Sequence, residues 1–147
     1  MIFISNDIKV KTGIEQGCIY NFSPKDGVLN HYYMVLNKNP KTDSEVYLVP
    51  FTTKKEKIIK FIEYRKLDRK TFVDIPNKEC SFLPRSQDGG IDCNRPIEVT
   101  LTKLIELIDN SSGSCNYPKT TKSLLELVIE GVSASPMVKP VIKTSLY

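Results

Sequence analysis

The chain is poor in the residues on which most metal and acid–base chemistry depends. Its 147 residues include one histidine, His31, and four cysteines. Cys18, Cys80, Cys93 and Cys115 are scattered, with no Cys-x-x-Cys pair, so a zinc site is not expected. Long apolar runs are missing as well. None approaches the ~20 residues that a membrane span needs. The N-terminal "MIFISNDIKVK" turns polar after four apolar residues, too soon for a secretory signal. These absences lead to expectations of a cytoplasmic protein, no membrane contact, no metal or other cofactor, and reduced thiols in or near the core. Gly89-Gly90 is followed by no Gly-Lys-Ser/Thr, which excludes a phosphate-cradling loop of that kind. No nucleophile motif stands with His31, and no internal repeat is visible.

What is present suits one globular domain: 40% apolar and 26% charged residues. The N-terminal half reads as strands. "CIYNF" (18–22), "HYYMVLN" (31–37), "EVYLVPF" (45–51), "KIIKFIEY" (57–64) and "TFVDI" (71–75) are rich in β-formers, and "CSFL" (80–83) is a further candidate. Two of them are apolar on both faces, as central strands are. Pro50 is expected where its missing N–H is not required. The C-terminal half reads as helix. Residues 100–110 place Leu101, Leu104, Ile105 and Ile108 on one face behind Thr100 or Thr102. Residues 120–132 do the same with Leu124, Leu125, Val128, Ile129 and Val132. Ser135-Pro136 offers a third helix start, which Pro140 would kink. Strands first and helices last predict an α+β fold, a small curled antiparallel sheet or barrel of five to six strands with two or three helices packed on it.

Charge is concentrated. Residues 54–70 hold eight basic and three acidic side chains, a local excess of +5 against +4 for the whole chain. Such a patch fits a polyanion, or serves as a solvated edge that discourages sheet aggregation. If 31–37 and 45–52 form a hairpin centred near residue 41, facing residues have indices summing to about 83. His31 then falls opposite residue 51 or 52, beside Thr52 and Thr53, with Lys54 and Lys55 directly after. A titratable group, hydroxyls and cations would meet at the open end of one hairpin. That set suits cleavage of RNA by its own 2′-hydroxyl. An imidazole can take or give the proton, and hydroxyls and ammoniums can stabilise the five-coordinate phosphorus. A lone histidine at a strand end is more often a structural residue, and Thr-Thr is common there by propensity alone.

"GCIYNFSPKDG…NHYYMVLNKNP…EVYLVPFTT" resembles the opening of the MazF/PemK family of bacterial toxin–antitoxin toxins. Gly17 to Tyr20 is similar to that family's first strand, Tyr32 to Asn37 to its second, and Pro50 to Thr53 to the Thr/Ser end of its third. The resemblance covers roughly residues 16–83. It implies an SH3-like β-barrel with packed helices, one domain over 1–147 (β-rich 14–84, helical 100–147), usually dimeric. It also implies a metal-independent endoribonuclease that cleaves single-stranded RNA and is neutralised by an antitoxin. The family's catalytic arginine maps onto His31 and its catalytic Thr/Ser onto Thr52. Arginine stays charged whereas histidine titrates, so the substitution changes the chemistry available. Thr53, Lys54 and Lys55 are the expected RNA contacts. The segment 77–99 is longer than the family pattern and brings Arg85, Asp92 and Arg95, so Arg85 or Arg95 can stand in for the missing arginine. The alternative is a non-catalytic RNA- or protein-binding module on the same fold.

Overall fold

Apolar residues recur on both sides of the strands because both sides are covered. In the computed structural model, which describes residues 3–75 and 89–147, β1 (Ile19–Phe22), β2 (His31–Val35) and β3 (Val46–Thr52) lie antiparallel side by side. Ile19, Met34, Leu36, Tyr47, Val49 and Phe51 enter one buried cluster. Their alternates Tyr20, Phe22, Tyr33, Val35, Val46 and Leu48 enter another. The first cluster is closed by α4 (Lys122–Ala134) and α5 (Pro140–Ser145), through Leu124, Val128, Val132 and Ile142. The second is closed by α1 (Asn6–Gly13) and α3 (Leu101–Asn110), through Val10, Leu104, Ile105 and Ile108.

The strand shared by the rest is β3. One edge pairs with β2. The other edge pairs first with β6 (Ile97–Val99), then with β5 (Gly90–Asp92), which in turn pairs with β4 (Phe72–Asp74). Leu36 donates its N–H to the Tyr47 carbonyl at 2.8 Å. Backbone groups of Tyr47, Val49 and Phe51 therefore turn toward β2, and those of Leu48, Pro50 and Thr52 turn to the opposite edge. On that edge β6 stops at Leu48 and β5 starts at Phe51. Pro50 occupies the gap, so its missing N–H leaves no bond unmade. The Asn37 side chain closes the β2–β3 loop, donating to Asp43 and the Glu45 carbonyl and accepting from the Tyr47 N–H.

The fold is α+β, with a six-stranded antiparallel sheet as expected. It is not a closed barrel: among the described residues β1 and β4 end the path and do not pair. Other expectations change too. Residues 57–64 are not a strand but the body of α2 (Lys55–Arg65). Ile58, Phe61 and Ile62 repeat at helical spacing, and that period overrides the β-propensity of isoleucine. Lys66, at a φ of 56°, ends the helix with N–H bonds from Lys66 to Glu63 and from Leu67 to Ile62. Residues 90–92 and 97–99, expected within a loop, are β5 and β6, each three residues long and too short to show a period. The Ser135-Pro136 start is not used. Pro140 instead takes the first position of α5, where its lack of an N–H is harmless. The capping threonines are Thr100 and Thr121, each accepting an N–H three residues on. The strand expected at 80–83 lies outside the described residues. Among those described, no helix is long and apolar enough to cross a membrane.

Candidate nucleic-acid interface

The hairpin register agrees with the expectation. Tyr33 pairs with Pro50, Met34 with Val49 and Val35 with Leu48, so the indices sum to 83. Continued two positions, this register sets His31 opposite Thr52 on the same face. The ladder itself ends at Tyr33–Pro50, and β3 continues paired on its other edge with β5. His31 is exposed, pairs with Phe22 of β1, and meets the Tyr33 ring edge-on at 6.4 Å between centroids.

Thr52 is the last residue of β3 and is half-buried. Its Oγ1 accepts the Lys54 N–H at 3.0 Å, and among the described residues its own proton has no acceptor. Across the sheet Thr52 pairs with Gly90, and Gly90 with Asp74. A β-carbon on Gly90 would stand 2.3 Å from the Phe72 ring and 2.6 Å from the Val73 carbonyl, so only glycine lets β4 lie this close.

Asp74 bonds Lys55 Nζ at 2.6 Å and Arg69 at 3.0 Å. Partial burial pushes its carboxyl up, but the hydrogen bonds from Lys55 and Arg69 outweigh that and hold it below its ordinary 3.8. The stabilisation from this triad is thus present above pH 3.8 and lost as pH falls below it. Asp74→Asn is expected to cost about 1 kcal/mol near neutrality, since the groups are half exposed and screened. It should also flatten the loss of stability on acidification. Urea melts at pH 7 and pH 3 test this, and identical losses in both proteins at pH 3 would contradict it.

Lys55 is therefore tied to Asp74 rather than left for substrate. Lys54 caps α2 by position, with no side-chain capping bond. Thr53, Lys54, Lys55, Glu56, Lys57 and Lys60 line an open depression of about 510 Å³. Lys60 pairs with Glu56 at 3.5 Å, while among the described residues Lys54 and Lys57 make no ion pair. Cations at the positive pole of a helix repel it, and an anion bound there relieves both charges. Arg95, exposed in the turn between β5 and β6, lays its guanidinium 4.5 Å over the Phe61 ring of α2, and Arg65 approaches the same ring at 5.9 Å. Arg85 lies outside the described residues.

Sequence reasoning missed Asp74, and it held Lys57, Lys60 and Arg69 only as members of the basic 54–70 segment. The three-residue spacing of Lys54, Lys57 and Lys60 singles out the lysines once the segment is taken as helix, whereas nothing local marks Asp74. Among the described residues no three His, Cys, Asp or Glu side chains cluster as a metal site requires. Cys18, Cys93 and Cys115 are free thiols, and burial pushes that of Cys93 well up. Cys80 lies outside the described residues.

No family model matches the sequence, and no curated protein matches it. A chain in the crystal structure of MazE–MazF (Form-III) from Deinococcus radiodurans is similar, with a TM-score of 0.51 over 82% of this chain and 92% of that one. The fold is MazF-like. At 13% identity the likeness is one of fold alone. The MazF-like region spans more of the chain than the motifs, which rest on residues 16–83.

Proposed function

We propose that the protein is a toxin-type, metal-independent endoribonuclease that cleaves single-stranded RNA at the open end of the β2–β3 hairpin. The observation that carries this reading is the MazF-like fold, similar to a chain of a MazE–MazF complex over most of both lengths. The register supports it by aligning His31 with Thr52 on one face. In the reaction the RNA 2′-oxygen attacks the adjacent phosphorus and the 5′-oxygen leaves. The products are a 2′,3′-cyclic phosphate and a free 5′-hydroxyl. His31 takes the 2′ proton and gives it to the leaving 5′ oxygen, which returns the imidazole to its starting state. Thr52, its oxygen already occupied by the Lys54 N–H, donates its proton to a phosphate oxygen as negative charge builds. Lys54, Thr53 and Arg95 hold the flanking backbone, and Arg85 is a further contact. Lys55 supports the site by fixing the start of α2 to β4. A homodimer and an antitoxin that covers the same face complete the reading, in one domain in the cytoplasm.

One observation favours the alternative of a non-catalytic RNA- or protein-binding module. Among the described residues the His31 ring has no hydrogen-bond partner to orient it. Incubation of single-stranded RNA with the protein in EDTA separates the two. Cyclic-phosphate ends, formed at a rate that Thr52→Ala lowers about tenfold or more, support the nuclease. Intact RNA with salt-sensitive binding supports the module.

A further inference from the structure

We infer that one flank of α2, formed by Lys54, Lys57, Phe61 and Arg65 with Arg95 laid over Phe61, is a base-stacking track for single-stranded RNA leading away from the hairpin mouth. The inference rests on the RNA reading and adds where the strand goes and what grips its bases.

Lys57, Phe61 and Arg65 follow one another at i, i+4 and i+8, so they form one stripe along the helix, and Lys54 falls on the same flank. From Lys54 to Arg65 the stripe runs about 16 Å, enough for a few nucleotides. It starts two residues after Thr52, so a strand engaged at the hairpin mouth meets it without a gap. Glu56 and Glu63 lie toward the other side of the helix by the same spacing. Among the described residues none of Lys54, Lys57, Arg65 and Arg95 makes an ion pair, so four cations stand uncompensated along one line.

Arg95 gives this line more than charge. Its neighbour Asn94 is 2% exposed and is held by Thr71 Oγ1, Ser135 Oγ and Asp92 Oδ1, while Pro96 fixes φ on the other side. The exposed Arg95 side chain thus springs from a turn tethered at Asn94 and lies 4.5 Å from the centroid of Phe61 on a second element. A guanidinium centred over an aromatic ring can offer its other face to a nucleobase. Tyr64, 84% exposed, lies one helical turn from Lys60 and adds a second ring beside the stripe. Charge alone would recognise any polyanion, whereas guanidinium and aromatic planes recognise bases in a single strand.

The test uses 2′-O-methyl uridine decamers, which lack the nucleophile and cannot be cut by the proposed reaction. A second decamer of equal charge has every other base removed. Wild type is expected to bind the base-bearing strand about tenfold more tightly. Arg95→Lys, which keeps the charge and loses the plane, should abolish that preference without changing the slope of affinity against salt. Equal wild-type affinity for both strands, or an undiminished preference in Arg95→Lys, would overturn the track while leaving RNA binding intact. Binding of neither strand would overturn the RNA reading along with it. Polyglutamate bound as tightly as the base-bearing strand would overturn it too, and would assign the flank to an acidic protein segment.

Discussion

His31→Ala is expected to slow cleavage of single-stranded RNA by ~10²–10⁴-fold, the range over which a positioned acid–base group acts. Histidine is scarce here to the point of uniqueness, so no second imidazole can take over. The variant should fold as wild type, because His31 is exposed and contributes a ring contact with Tyr33 rather than core packing. Binding of uncleavable RNA should persist, since the cations of α2 and the β5–β6 turn are untouched. His31→Arg gives the complementary result. An arginine cannot move protons at this site but can stabilise the phosphorane, so a partly active enzyme is expected. Single-turnover cleavage in EDTA measures both. A His31→Ala protein that cuts at the wild-type rate would remove His31 from the chemistry.

Asn94→Ala is expected to destabilise the fold by about 3 kcal/mol. Asn94 ties three segments together. It donates to Thr71 Oγ1 at 2.9 Å, accepts from Ser135 Oγ at 2.7 Å, and stands in the turn between β5 and β6. Thr71 and Ser135 are fully buried, so truncation leaves the Ser135 hydroxyl without an acceptor and opens a small polar void. Part of the network survives, because Thr71 still donates to Asp68 and the Asp92 bond uses the backbone N–H of residue 94. The loss should appear as a lower urea midpoint with unchanged slope, and as a fall in Tm of roughly 6–12 °C. A loss under about 1 kcal/mol would mean that water restores the bonds.

Much of the fold was legible because its periods are strong. Two strands read apolar on both faces and are covered on both faces. Two helices read as amphipathic and begin at the threonines that cap them. The hairpin register follows from loop length alone, which is why the sequence aligns His31 with Thr52. The misreadings have two causes. In "KIIKFIEY" the residue types favour strand while their spacing favours helix, and the spacing prevails. β5 and β6 are three residues each, below the length at which any period can be seen.

By itself the sequence determined the strand faces, the helix caps, the β2–β3 register and the basic character of residues 54–70, all of which depend on neighbours within a few positions or one loop. The tertiary structure alone decided which cations are free. Lys55 is consumed by Asp74 because β5 joins β4 to β3 through Gly90, and Arg95 meets Phe61 because the turn that carries it, tied by Asn94 to Thr71 and Ser135, lies next to α2. Those pairings join residues 19 and 34 positions apart, and only the packing of separate elements brings such residues within bonding distance.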